Sequence, residues 1–319
     1  MRVFDTPLSK IIRKFVSVTK AFLVLGGMLY AKYIKNNSPY KWAVEKIDVN
    51  AIDKVSFFNP SIAQRLNQRY CSLRQYEDYA KFNGYARNYL GLLDNHNFVE
   101  YADWLDDDLL QSELPGFERI EDLRLFFSDD SMYASAAILI NASDKKLHVT
   151  QAILKIENTK VIGVHLFQTP SQMEKNWVHV ESKNGKAKFL YSLVPLQIIT
   201  LDLPIFGIKK IKLNAIPPLL AIRNSTNLIK RGDAFLCLAH GILDIWFKKI
   251  YIHYFVEILR EEIKISNPFV FQRFSDEFAL SINENNGELE VAFGNHQRGA
   301  FIGVNNQALM GLELMCVGA

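Results

Sequence analysis

The sequence predicts an all-β fold with a helical N-terminal extension. From about residue 50 onward the chain is a succession of short apolar or alternating runs, such as KVIGVHLFQTP and LEVAFG, broken by turn residues. Asn184-Gly185 and the Asn-Asn-Gly at 285–287 are hairpin turns, because glycine supplies the positive φ such turns need. Ahead of residue 50 the pattern differs, with basic residues flanking one apolar run.

That N-terminal stretch places Lys10, Arg13, Lys14 and Lys20 before the apolar run 21–31, and Lys32 and Lys35 after it. Its eleven apolar residues are too few to cross a bilayer, which takes about 20. No small-x-small cleavage site follows, so the segment does not read as a signal peptide. It reads as an amphipathic helix lying on its own domain, on a partner or on an anionic membrane surface, with residues 10–35 as the peripheral contact. The extension is assigned to 1–50 and the β domain to 51–319. Further helix-like stretches fall around 60–112, where YADWLDDDLLQSEL is loop-like or briefly helical. In LEVAFG, Leu289, Val291 and Phe293 alternate with Glu290 and Ala292, the pattern of a half-buried strand. Many short strands build a sandwich, a barrel or a propeller; about 260 residues is long for one sandwich, whereas five sheets of about 50 residues make a propeller. No internal repeat is visible, so this pattern does not supply the blade count.

Composition narrows the function. With 49% apolar and 22% charged residues the chain can bury a sizeable core, and a net charge of +3 gives no electrostatic case for nucleic-acid binding. Cys71, Cys237 and Cys316 are far apart and odd in number, which fits neither a zinc site nor a disulfide framework and points to a reducing, cytoplasmic setting. There is no Gly-rich phosphate loop, HExxH, GxSxG or paired CxxC, so no cofactor and no metal are expected.

One stretch breaks the apolar pattern. IEDLRL at 120–125 sets Glu121, Asp122 and Arg124 where a strand should bury side chains. An ionised carboxylate there is expensive unless paired. From the residues alone, these three are either a salt bridge at a sheet edge or a catalytic acid held by its neighbours.

Ten motifs in order carry a resemblance: FNPSI (58–62), YARNY (85–89), IEDLRLF (120–126), EKNW (174–177), LYSLVPLQI (190–198), RNSTNLI (223–229), FLCLAH (235–240), YIHYFV (251–256), EFAL (277–280) and VAFGNH (291–296). Over about 57–305 the chain resembles the five-bladed β-propeller enzymes of glycoside hydrolase family 130, the β-mannoside phosphorylases and hydrolases, and their glycosyltransferase relatives. The resemblance implies a five-bladed β-propeller, a carbohydrate substrate, and phosphate or a nucleotide sugar as partner. In that family the acidic motif usually reads Glu-Asp-Pro-Arg and its Asp is the proton donor, which makes Asp122 the candidate catalytic residue. Leu123 replaces the proline, restoring an N–H and freeing φ.

A phosphorylase needs one acid and a set of cations for phosphate, whereas an ordinary glycosidase needs two facing carboxylates. The motifs supply Arg87, Lys175, Arg223, His240 and His253 as candidates for phosphate or the diphosphate of a nucleotide sugar. Asn59, Asn88, Glu121, Arg124, Ser225, Thr226 and Glu277 complete the expected substrate-binding set. Each has a plainer alternative. Arg87 pairs with a loop acid, Lys175 lies along Trp177, the histidines are buried and neutral, and Ser225 and Thr226 bond the local backbone. Glu277 is an edge acid, and Tyr89, Trp177 and Tyr251 are core aromatics. The sequence thus supports a glycoside phosphorylase or glycosyltransferase, ahead of a hydrolase, acting with inversion on a mannoside-type bond. The alternative is a propeller that binds carbohydrate without chemistry.

Overall fold

In the computed structural model the strands form five sheets arranged as a five-bladed β-propeller. The structure describes residues 26, 29–30, 32–38, 40–49, 57–76, 86–141, 147–168, 173, 175–213, 222–245, 248–272, 276–285, 287–295, 299–305 and 314–316. The first blade contains Phe57–Arg65, Gln68–Tyr76, Ala86–Leu93 and Phe98–Trp104, with Asp48–Val49 added in parallel at its outer edge. Phe117–Ser128, Ser131–Asn141, Leu147–Glu157 and Lys160–Gln168 make the second, joined in parallel by Gly207–Lys212. Val178–Lys183, Lys186–Ser192 and Gln197–Asp202 make the third. In the fourth, Arg223–Asn224 and Ile229–Arg231 both pair with Ala234–Ile245, followed by Lys248–Leu259, Glu262–Ser266 and Leu314–Cys316. The fifth holds Glu277–Asn285, Glu288–Asn295, Gly299–Asn305 and, from the other end of the chain, Ala43–Lys46.

The ring is closed by apolar surface. One buried cluster fills each gap between neighbouring blades. Leu90 and Leu123 meet between first and second, Phe126 and Phe189 between second and third, and Leu190 and Val256 between third and fourth. Phe255 and Phe293 meet between fourth and fifth, and Phe57 and Ala292 between fifth and first. Because a blade packs against its neighbours on both sides, many of its strands bury both faces. Cys71, Leu73, Ser72 and Arg74 are all buried on one strand, which erases the alternation that marks a half-buried strand. This explains why 60–112 looked helical in sequence. It is strand throughout most of its described length, with one short helix at Asp108–Glu113.

The turns follow the expected chemistry. Asn184 and Gly185 adopt φ +53° and +68° in a two-residue hairpin. The same geometry recurs at Asn158-Thr159, with φ +47° and +62° and no glycine.

Most of the proposed extension, including residues 10–25, lies outside the described residues. Residues 32–37 are helical, Ile34 is buried, and the Lys35 ammonium donates to the Gln272 carbonyl. Residues 43–49 are not part of a helical extension: they are propeller strand, since Ala43 to Lys46 pair with Val304 to Phe301. Among the described residues no helix is long and apolar enough to cross a membrane.

Gly163 shows how tightly the second blade receives its parallel strand. A Cβ added there would lie 2.3 Å from the Ile205 carbonyl oxygen, a backbone atom. Gly163→Ala is expected to destabilise the protein by about 1–3 kcal/mol, the usual cost of overpacking, read as a lower urea midpoint.

Candidate active site

Asp122 lies on the inner strand of the second blade, at a register shift between Glu121 and Arg124. Its φ is +52°, a left-handed conformation that Asp tolerates better than most residues. The bulge turns its carboxylate toward the first blade, and the group is 6% exposed. Asn59, at a matching register shift on the first blade's inner strand and with φ +47°, donates from Nδ2 to Asp122 Oδ1 at 2.9 Å. Gly294 makes room for this: a Cβ there would stand 2.5 Å from the Asn59 backbone nitrogen.

The cations arrive from neighbouring strands. Arg74 places Nη1 3.3 Å from Asp122 Oδ1 and 3.7 Å from Glu121 Oε2. Arg124 donates to the Asp122 carbonyl at 3.0 Å, to the Ser225 carbonyl at 2.9 Å and to Asn176 Oδ1 at 3.2 Å, and its guanidinium lies 5.7 Å from the Phe278 ring centre. Lys175, half-buried just before the third blade's inner strand, adds its field. Burial raises the Asp122 carboxyl, but Arg74, then Lys175 and Arg124, with the Asn59 hydrogen bond, outweigh it and hold it at about 2. Burial lowers Arg124 to about 10, which leaves it charged at neutral pH.

An aromatic and imidazole wall faces this cluster. The His240 ring meets Phe278 edge-on at 4.9 Å and Tyr251 at 5.4 Å. Burial, then His253, Arg124 and Lys175, keep His240 well below the ordinary imidazole range, so it is neutral. His253, its cross-strand partner, is pushed by burial to about 3. Among the described residues His240 Nδ1 and both His253 ring nitrogens lack a hydrogen-bond partner. Burial, then Asp122, pushes the Tyr251 phenol up to about 12, so it remains a hydrogen-bond donor.

The expected site residues fall into three groups. Asp122, Asn59, Arg124, Lys175 and His240 converge, with His253 behind and Glu121 at the rim, where Arg119 Nε donates to it at 2.9 Å. Arg223 is exposed but stands opposite His240 in register. Several others hold the scaffold. Asn88 donates to the Ile120 carbonyl, Ser225 to the Ala279 carbonyl, and Thr226 accepts from the Leu238 N–H. Both Glu277 carboxylate oxygens accept from the Gln272 N–H, and one also from Phe271. Arg87 is exposed and lies 5.7 Å over the Trp104 ring, facing the side of the first blade. Trp177 and Tyr89 are core aromatics. The motifs do not reach Arg74: between Leu73 and Gln75 it stands in no distinctive sequence pattern, and only the cross-strand register, opposite Asn88, brings it to the site. Among the described residues no cluster of metal-ligating side chains is present.

No protein-family model matches the sequence, and no curated protein is similar to it. Solved structures are similar. A GDP-Man-dependent mannosyltransferase from Leishmania mexicana superposes with a TM-score of 0.61 at 11% identity, covering 89% of this chain and 96% of that one. A mannose phosphorylase from the same organism, in complex with phosphate ion, gives 0.59 at 9% identity over 91% and 96%. The β-1,2-mannobiose phosphorylase of Listeria innocua gives 0.53 at 14% identity over 85% and 98%. The chain shares their five-bladed propeller. At these identities the likeness establishes the fold.

The site predicts an acid-sensitive contribution to stability. Because the folded-state Asp122 value lies below the ordinary 3.8, its charge stabilises the protein above about pH 4, and the contribution is lost as pH falls toward 2. Asp122→Asn is expected to cost about 2 kcal/mol at pH 7, the free-energy equivalent of that lowering. In urea titrations the gap between parent and variant should close as pH approaches 2.

Proposed function

We propose that the chain is a carbohydrate-active enzyme that makes or breaks a mannoside-type bond by single displacement, with phosphate or a phosphorylated sugar as its partner. The carrying observation is one buried carboxylate, Asp122, surrounded by Arg74, Arg124 and Lys175. Glu121 pairs with Arg119 and Arg74, Glu277 binds backbone N–H groups, and Asp276 acts on Tyr251 but is not among the groups that set the Asp122 carboxyl. An acid with cations suits an anionic nucleophile or leaving group better than the paired carboxylates of a hydrolase.

In the synthetic direction, Asp122 takes the proton of an acceptor hydroxyl whose oxygen attacks the anomeric carbon. The bond to the phosphate oxygen breaks on the opposite face, phosphate leaves with the electron pair, and the configuration inverts. In the reverse direction, phosphate attacks and Asp122 returns the proton to the bridging oxygen. The resting carboxylate is ionised and so begins as a base. An anionic partner beside Arg74 and Lys175 offsets their charge and lets Asp122 hold a proton for the reverse step. Lys175 and Arg74 are assigned to the phosphate or sugar, with His240 and Tyr251 lining the pocket. All three Arg124 nitrogens bond the protein, so Arg124 acts through its charge.

The test supplies mannose 1-phosphate or GDP-mannose with a panel of sugar acceptors. Phosphate release from mannose 1-phosphate assigns a phosphorylase, and turnover of GDP-mannose alone assigns a transferase. Asp122→Asn should lower either rate by about 10²–10⁴-fold, the usual contribution of a positioned acid or base. Sugar binding with no turnover of either donor would sink the enzyme reading and leave a carbohydrate-binding propeller. Arg74→Gln removes the first cation that holds the Asp122 carboxyl down, so the acidic limb of the pH–rate profile should move to higher pH; an unmoved limb would separate Arg74 from the proton carrier.

A further inference from the structure

Behind the pocket wall stands a second imidazole that the proposed chemistry leaves unused. His253 is fully buried, and neither of its ring nitrogens has a hydrogen-bond partner among the described residues. A buried polar atom left unpaired is costly, and each one in a native protein calls for a cause. Two on one ring, beside a third at His240 Nδ1, mark a place where polar groups are kept against that cost.

Strand register brings the two rings together. His253 stands directly opposite His240 in the ladder between Lys248–Leu259 and Ala234–Ile245. Its own N–H and carbonyl both bond Phe269, on the other side of the strand, each at 2.9 Å. His240 and His253 are therefore a non-hydrogen-bonded pair of their ladder, the kind whose side chains lie closest, with α-carbons about 4.5 Å apart. Residues directly opposite share a face of the sheet. On that face His240 meets Phe278, and His253 lies 4.7 Å from the Phe271 ring and 5.9 Å from Phe269.

The two rings have different surroundings. Arg124, Lys175 and Asp122 all act on His240, whereas burial alone acts on His253. His240 is thus the ring at the pocket and His253 the ring behind it. Ser266 and Glu277, the buried polar side chains bonded to neighbouring phenylalanines, are already engaged. Ser266 Oγ accepts from the Phe255 N–H and donates to the Asn267 carbonyl, and Glu277 accepts from Phe271 and Gln272. A neutral imidazole carries one donor and one acceptor nitrogen, and the partner of one nitrogen decides which tautomer the ring holds. The ring torsion of histidine is soft, so a turn of either ring joins the pair without moving the strands.

We propose that His253 is a positioning residue for His240: its ring N–H donates to His240 Nδ1, directly or through one bridging water, and holds His240 as the tautomer with its proton on Nε2. His240 then offers a neutral N–H donor to a substrate oxygen. That consequence rests on the carbohydrate-enzyme reading, whereas the imidazole pair is tested without any substrate.

The experiment reads the full chain, carrying isotope-labelled histidine, by long-range imidazole NMR at neutral pH. The His240 signals are identified by their loss in His240→Gln. The parent should show one His240 tautomer, with Nδ1 unprotonated and Nε2 protonated. His253→Phe puts an apolar ring beside Phe269 and Phe271; its urea midpoint should be unchanged or higher, because two unsatisfied nitrogens disappear, while His240 becomes a mixture of tautomers. His253→Gln keeps an amide donor and should restore the single tautomer. A His240 protonated on Nδ1 in the parent, or a tautomer unchanged in folded His253→Phe, overturns the proposal, and the parent spectrum decides even where a variant does not fold. Where the donor assays show turnover, kcat/KM should fall about tenfold in His253→Phe, equivalent to about 1.4 kcal/mol, and recover in His253→Gln. If those assays are silent while the tautomer follows residue 253, the enzyme reading fails and the imidazole pair stands.

Discussion

Burying an ionised carboxylate where five sheets converge costs several kcal/mol unless cations and donors surround it, and each blade of this propeller supplies part of that surround. Asn59 and Arg74 come from the first, and Arg124 from the second. Lys175 and Asn176 immediately precede the third. The Ser225 carbonyl of the fourth and the Phe278 ring of the fifth fix the Arg124 guanidinium. Asp122 therefore depends on the ring being assembled, and the apolar clusters between blades set the distances on which its charge relies.

The arrangement divides labour between charges that look alike in sequence. Arg124 is a strut, with its nitrogens committed to two carbonyls and an amide. Arg74 faces the carboxylate itself. The neutral imidazoles follow from the same crowding, since a proton on His240 would add a positive charge beside Arg124 and Lys175 in a buried place. Among the described residues the pocket is thus cationic and aromatic around one deeply buried acid, with Glu121 at its rim.

Much of this was legible before the structure, and the gaps have physical causes. IEDLRL stood out because charges interrupt a buried run, and the bulge at Asp122 shows why: the strand breaks register to turn that residue inward. Leu123, between Asp122 and Arg124, packs into the core between the first two blades. The YARNY motif points to Arg87, whereas cross-strand register decides that Arg74 meets the acid. Strand Gln68–Tyr76 has both faces buried and shows no alternation to guide a reader. The blade count was hidden for a related reason. The third blade has three described strands, the second gains a parallel one, and the fourth has an interrupted inner strand, so no period repeats.

The strand Ala43–Lys46 finishes the fifth blade by pairing with Gly299–Asn305. During synthesis it meets its ladder partner only after the strands of the other blades have been made, since Ala43 waits for Val304. Bringing such distant segments together carries a loop-closure entropy that no earlier blade has to meet. Closure of the fifth blade therefore waits for Gly299–Asn305, and until that strand is made the backbone groups of Ala43–Lys46 lack the ladder that later satisfies them.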